Sequence, residues 1–193
     1  MPLSTLDPTT ALVLIDLQRG IVSPPAAPLS GPEVVTRCKE LADAFRAAGL
    51  PVVLVNVSFA PDFADVPKGR DEESQAEDDD LPPLGFDLIV DELGAHPTDI
   101  RVTKRQWGAF HGTALDTHLR RRGVTQIVLA GLTTSRGVDT TAREAYAHNY
   151  NVTFATDAMT DRAVTDHEHV IERVFPQIGE RGTTAEILKL LQP

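Results

Sequence analysis

Apolar and polar positions along this 193-residue chain switch repeatedly between a strand-like and a helix-like period. Residues 10–16 (TALVLID) form a near-continuous apolar run of strand length, the pattern of a parallel strand buried on both faces. Ser30, Gly31, Pro32 and Glu33 then read as a capping box with proline in the first turn. Val34, Val35, Cys38, Leu41, Ala42 and Phe45 follow at helical spacing. Gly49 and Pro51 stop that helix, and residues 51–57 make a second strand, so the unit implies a right-handed crossover into a parallel sheet. The alternation continues with a short strand at 100–103 ending at Lys104, a helix at 113–122, a strand at 126–130, a helix at 138–148 and a strand at 152–156. Two more capping boxes, Thr165 with Glu168 and Thr183 with Glu186, are expected to open the last two helices, with a short sixth strand near 179–182.

Only residues 58–99 break this order, with prolines, glycines and acidic residues too polar and irregular for a core. They are expected to form a long surface excursion, functional or mobile, leaving the carboxyl end of the second strand where ligands bind in such sheets. Within it, Glu77, Asp78, Asp79 and Asp80 read as a solvated face, and more distantly as a cation site. The expected architecture is a three-layer α/β sandwich: a doubly wound, mostly parallel sheet of five or six strands between helices.

Composition narrows the function. An apolar content of 41% in 193 residues suits one domain spanning 1–193 with a single core. A formal net charge of -10 argues against nucleic acid or an anionic membrane as partner. No stretch reaches the roughly 20 apolar residues of a membrane span, and the amino-terminal residues have neither a basic region nor an apolar signal core. The lone cysteine, Cys38, forms no intrachain disulfide, which agrees with a reducing, cytoplasmic setting. It falls on the apolar side of its helix, where a thiol behaves as a small hydrophobe.

Candidate chemistry gathers at strand ends. Asp16, Lys104 and the turn of residues 131–137 stand at the carboxyl ends of strands one, three and four, which a doubly wound sheet brings together. That turn, within GLTTSRGVDTTAREA (131–145), together with Asp16 in LVLIDLQ and Lys104 in VTKRQWGAF, resembles the isochorismatase-like hydrolases, also called the cysteine hydrolase superfamily. Their pattern is roughly G-hydrophobic-x-T-x-x-C-V-x-x-T-A, and here Gly137 stands at the cysteine position.

The resemblance implies strand order 3-2-1-4-5-6, no cofactor, a small-molecule substrate and a homodimer or homotetramer. In cysteine-bearing relatives the equivalents of Asp16 and Lys104 activate the thiol. In isochorismatases proper, which lack it, the same aspartate is a general acid that protonates a vinyl ether. The resemblance also implies a non-proline cis peptide at Leu132-Thr133.

Read without the family, each residue keeps a second meaning. Asp16 alone is a strand-end or capping carboxylate. The segment Leu132, Thr133, Thr134, Ser135, Arg136 offers backbone N–H groups as a cradle for an oxyanion or carboxylate. Ser135 has no histidine nearby in sequence to activate it. Arg136 binds a substrate carboxylate or is simply solvated. Gln18 orients Asp16 or caps the next turn. Trp107 and Phe110 form a pocket wall or pack in a core or subunit interface. His111 is a site residue or a surface turn residue, and His167 and His169 face different ways on a helix, so a metal pair is not expected. The site is read as metal-free. Isochorismatase-like vinyl-ether hydrolysis leads; amide hydrolysis by direct water attack and a catalytically inactive binding homologue are the alternatives.

Overall fold

The structure, a computed structural model, describes residues 1–70, 82–94 and 96–191; the acidic run 77–80 lies outside them. Six strands form one parallel sheet in the order β3-β2-β1-β4-β5-β6: β1 Thr10–Ile15, β2 Val52–Val57, β3 Ile100–Lys104, β4 Gln126–Leu132, β5 Asn151–Thr160 and β6 Glu180–Gly182. All six residues of β1 are buried, as its uninterrupted apolar run required, because helices cover both faces.

Successive side chains of a strand point to opposite faces, so β1 feeds two cores. Ala11, Val13 and Ile15 join Leu115, Leu119, Ala142, Ala145 and Val170 on one side. Leu12 and Leu14 join Val34, Cys38, Leu41, Phe45 and Ile187 on the other. Helix α2 (Gly31–Ala47) buries all six residues of its predicted stripe, and Glu33 Oε2 accepts the Ser30 N–H at 2.8 Å to close the capping box. Its companion on that face is α6 (Thr184–Leu190), capped by Thr183 and Glu186. The opposite layer holds α3 (Leu115–Arg120), α4 (Asp139–Ala147) and α5 (Val164–His169). One further helical turn, α1 (Arg19–Val22), had no signal in the pattern.

Two expectations are corrected. The box at Thr165 does not form: α5 starts two residues earlier than that box implies, with Ala163 at its N-cap, which puts Thr165 inside the first turn. Strand β5 does not stop at Thr156 but runs to Thr160 past a register shift opposite Leu129 and Gly131. The charge that interrupts the apolar pattern, Asp157, is satisfied there by Arg37 (2.9 Å) and the Thr184 N–H (2.6 Å).

Candidate active site

The chain winds outward from β1 to β3 and then returns to lay β4 on the other side of β1, so the carboxyl ends of β1 and β4 border the switch-point crevice. A cleft of about 1340 Å³ opens there, lined by Asp16, Lys104, Trp107, Leu132, Thr133, Arg136 and Gly137 among others. Asp16 leaves β1 in the left-handed backbone region (φ 52°), unusual for a residue with a side chain. Lys104 ends β3, two strand spacings or roughly 10 Å from β1. Its long side chain reaches across the end of β2 to place Nζ 2.7 Å from Asp16 Oδ2 and 2.9 Å from the Gln106 carbonyl.

Both side chains are almost wholly buried, at 2% and 6% exposure. Burial raises the Asp16 carboxyl to about 6, against the attraction of Lys104, which lowers it. The other oxygen, Oδ1, is buried with no hydrogen-bond partner among the described residues. The floor of the cleft is thus a carboxyl group poised to gain or lose a proton near neutral pH.

On the far side, β4 passes through a cis peptide at Leu132-Thr133 into a widened helical turn, Thr134–Val138, that leads into α4. Gly137 lies in that turn, one residue short of the expected helix, and it borders the cleft. The space beside it is narrow: a Cβ there would stand 2.9 Å from Ile15 Cγ2 and 3.2 Å from Asp16 Oδ2.

Residues 10–186 match the isochorismatase domain family. The chain belongs to the isochorismatase family.

This isochorismatase-family hydrolase is 42% identical to the uncharacterized family protein YecD of Escherichia coli O157:H7, covering 95% of this chain and 96% of that one. It is 30% identical to the ureidoacrylate amidohydrolase RutB of Methylobacterium radiotolerans over 75% of this chain and 65% of that one. Among solved structures, an isochorismatase family protein from Burkholderia thailandensis superposes with a TM-score of 0.89 at 44% identity, over 98% of each chain.

Three residues expected at the site point elsewhere. Gln18 is fully buried and clamps the end of β2, accepting the Val57 N–H (2.8 Å) and donating to the Val57 and Phe86 carbonyls (3.0 and 3.2 Å). None of these bonds goes to the Asp16 carboxyl. Phe110 packs in the core against His148 and Tyr150, with ring centres 5.1 and 5.7 Å away. Thr134 is also buried; its hydroxyl lies 3.1 Å from the Thr160 carbonyl and 2.9 Å from His167 Nδ1, turned away from the cleft. The expected amide cradle is narrowed as well: the Ser135 N–H is held by Asp161 (2.6 Å), and those of Arg136 and Val138 by the Thr133 carbonyl (3.2 and 3.1 Å).

The cleft also holds residues that the sequence reading passed over. Asp161, buried immediately after β5, lies on its wall, as do Arg162, Phe59 and Glu144. Extending β5 to its true end would have flagged Asp161 as another strand-end carboxylate. Glu144 stands two helical turns after Gly137 and so on the same face, a spacing legible in the sequence. His111 is exposed, sits in a turn and lines the cleft too. The Arg136 guanidinium lies over the Trp107 ring at 5.5 Å. Cys38 is buried beneath α2, its Sγ 3.5 Å from the Ala158 carbonyl, and burial pushes the thiol far up. Among the described residues no cluster of His, Cys, Asp and Glu is arranged for a metal ion, and no helix is long and apolar enough to cross a membrane.

Proposed function

We propose that this protein hydrolyses a small molecule without a cysteine nucleophile, using Asp16 as the proton-transfer group and Lys104 as its electrostatic partner. The observation that carries this reading is the buried Asp16–Lys104 pair at the floor of the cleft, facing bare backbone at Gly137. The chain's one thiol lies under α2, away from the cleft, so a covalent thioester route has no nucleophile.

The reaction that best suits this geometry is vinyl-ether cleavage. The protonated Asp16 carboxyl gives its proton to the terminal carbon of the double bond, and the oxygen-stabilised cation adds water. The hemiketal then collapses to a ketone and an alcohol, and the proton released by the water returns to Asp16. With a carboxyl value of about 6, roughly a tenth of the molecules carry that proton at pH 7, a useful position for a general acid. Lys104 stabilises the carboxylate left behind.

Apolar walls from Phe59, Val66 and Trp107 together with Arg136 favour a substrate with an apolar body and an anionic group. Direct attack of water on an amide is the second reading, favoured by the similarity to ureidoacrylate amidohydrolases. There, ionised Asp16 would take the proton of the attacking water.

The test is a turnover panel of isochorismate, ureidoacrylate and simple amides, run with the native chain and Asp16→Asn. Asparagine tolerates the left-handed backbone at this position, so the change removes chemistry without adding backbone strain. Turnover lost in the variant is the expected result. Turnover retained would remove Asp16 from the reaction, and no turnover on any substrate class would favour a binding homologue.

A further inference from the structure

The loop that follows Lys104 is fastened to α4, the helix that follows the Gly137 turn. Between Lys104 and Phe110 the chain makes two backbone contacts to α4: the Ala109 N–H donates to Thr141 Oγ1 (3.2 Å), and the Phe110 N–H donates to Glu144 Oε2 (2.9 Å). Thr141 in turn donates to the Gly137 carbonyl (2.6 Å), so one side chain links the turn and the loop. Gly108 lies between them, buried against the Glu144 carboxylate, and any side chain at 108 would run into both carboxylate oxygens. At its other end the loop presents the Gln106 carbonyl to Lys104 Nζ.

We propose that Glu144 is a positioning residue, which fixes Lys104 against Asp16 by anchoring the loop that supplies the Gln106 carbonyl. A buried ammonium needs its donors satisfied, and Lys104 has two acceptors within 3 Å, Asp16 and Gln106. Gln106 is the movable one, because it sits in a loop rather than at a strand end. With Glu144 holding the Phe110 N–H and Thr141 the Ala109 N–H, the loop is tied to α4 at two adjacent amides, and the ammonium is kept on the sheet edge. Without Glu144 the carbonyl drifts, the ammonium follows it toward solvent, and Asp16 loses part of the attraction that opposes its burial.

Asp16 shares the cleft with Lys104, Arg105 and His111 from β3 and its loop, Arg136 and Glu144 from the turn and α4, and Asp161 and Arg162 after β5. Direct repulsion between Glu144 and Asp16 would work the other way: removing Glu144 would then lower the Asp16 value, not raise it. The direction of the shift therefore separates anchoring from a plain charge effect.

The test follows the Asp16 carboxyl by carbon NMR through a pH titration of the full chain, the signal being identified by its loss in Asp16→Asn. Glu144→Ala is expected to raise the midpoint by about half to one unit, part of the roughly 1 to 3 units that a neighbouring opposite charge produces, since the ammonium is displaced and not removed. Glu144→Gln keeps a carbonyl acceptor for the Phe110 N–H and is expected to leave the midpoint near its native value. Gly108→Ala pushes the carboxylate away from the loop side and should shift the midpoint in the same direction as Glu144→Ala, which covers the case that one variant fails to fold.

In a Lys104→Met background the effect of Glu144→Ala should vanish, because the group it acts through is gone. A midpoint unchanged or lowered in Glu144→Ala and Gly108→Ala, or a rise that persists without Lys104, overturns the proposal. Its meaning for catalysis rests on the reading of the Asp16–Lys104 pair given above. The titration needs no substrate, so an empty turnover panel and a failed anchoring test are separate results.

Discussion

Replacing Lys104 with methionine keeps an unbranched buried side chain, one atom shorter, and removes the ammonium with its charge and its hydrogen bonds to Asp16 and Gln106. In the native chain the Asp16 carboxyl moves from 3.8 to about 6, a difference of about 2 units; at 1.36 kcal/mol per unit, burial outweighs the lysine by about 3 kcal/mol in favour of the protonated form. A neighbouring cation lowers a carboxyl by about 1 to 3 units, so its loss should carry Asp16 to about 7 to 9. For general-acid cleavage of a vinyl ether, kcat falls with rising pH as the carboxyl ionises. That falling limb, near 6 in the native enzyme, is expected to move up with the carboxyl in Lys104→Met, while the low-pH plateau drops because the departing carboxylate has lost its counter-ion.

Stability should move with it. A folded-state value above the unfolded one stabilises the protein fully below about 4 and loses that contribution as pH rises through the folded value. Denaturant midpoints should therefore decline through about 6 in the native chain and through about 7 to 9 in the variant. Steady-state kcat against pH and chemical denaturation across the same range measure both. A limb that rises with pH would point to Asp16 as a base and favour the amide reading. A limb that stays at 6 in Lys104→Met, or moves down, would refute the electrostatic account.

Gly137→Ala places a methyl group 3.2 Å from Asp16 Oδ2 and 2.9 Å from Ile15 Cγ2. The gain in helix propensity, about 1 kcal/mol, should roughly offset the crowding, so the thermal midpoint is expected to stay within a few degrees while kcat falls about tenfold or more; unchanged kcat would show that the carboxyl does not need this space. Cys38 is buried and its thiolate strongly disfavoured, so turnover is expected to survive prolonged iodoacetamide treatment. Substrate-protected inactivation tracking Cys38 alkylation in peptide mass analysis would move the active site elsewhere. The chain is expected to form at least a dimer at micromolar concentration, and a monomer mass by light scattering would contradict this.

The strands, though not their order, which only the family resemblance implied, were open to reading in the sequence for a physical reason, and with that order so was the Asp16–Lys104 contact. Strands buried on both faces leave uninterrupted apolar runs, and once those are ordered, the residue after each run must lie on one edge of the sheet. Legibility failed where that regularity stopped. Beyond Asp16 the backbone turns through the left-handed region, so counting two residues on to Gln18 no longer predicts its direction, and the side chain instead clamps β2. Phe110 and Thr134 were assigned by closeness in sequence to Lys104 and Gly137, yet a loop and a widened turn aim them into the core. Asp161 was missed because the charge at Asp157 made β5 look finished four residues early, although Arg37 and Thr184 satisfy that charge inside the fold. The anchoring of the lysine loop by Glu144 depends on backbone amides, which no residue pattern displays.

Trp107 is the only tryptophan in the chain, and it lines the cleft half-exposed at 53%, with a guanidinium over its ring. The protein therefore carries its own optical label at the site in question. Any molecule that enters the cleft and displaces water or Arg136 from the indole changes the emission of the whole sample, with no background from other indoles. Occupancy can be titrated before a substrate is known, on unmodified protein. Compounds that never turn over become as informative as those that do, and the search for the natural ligand can begin from binding instead of reaction.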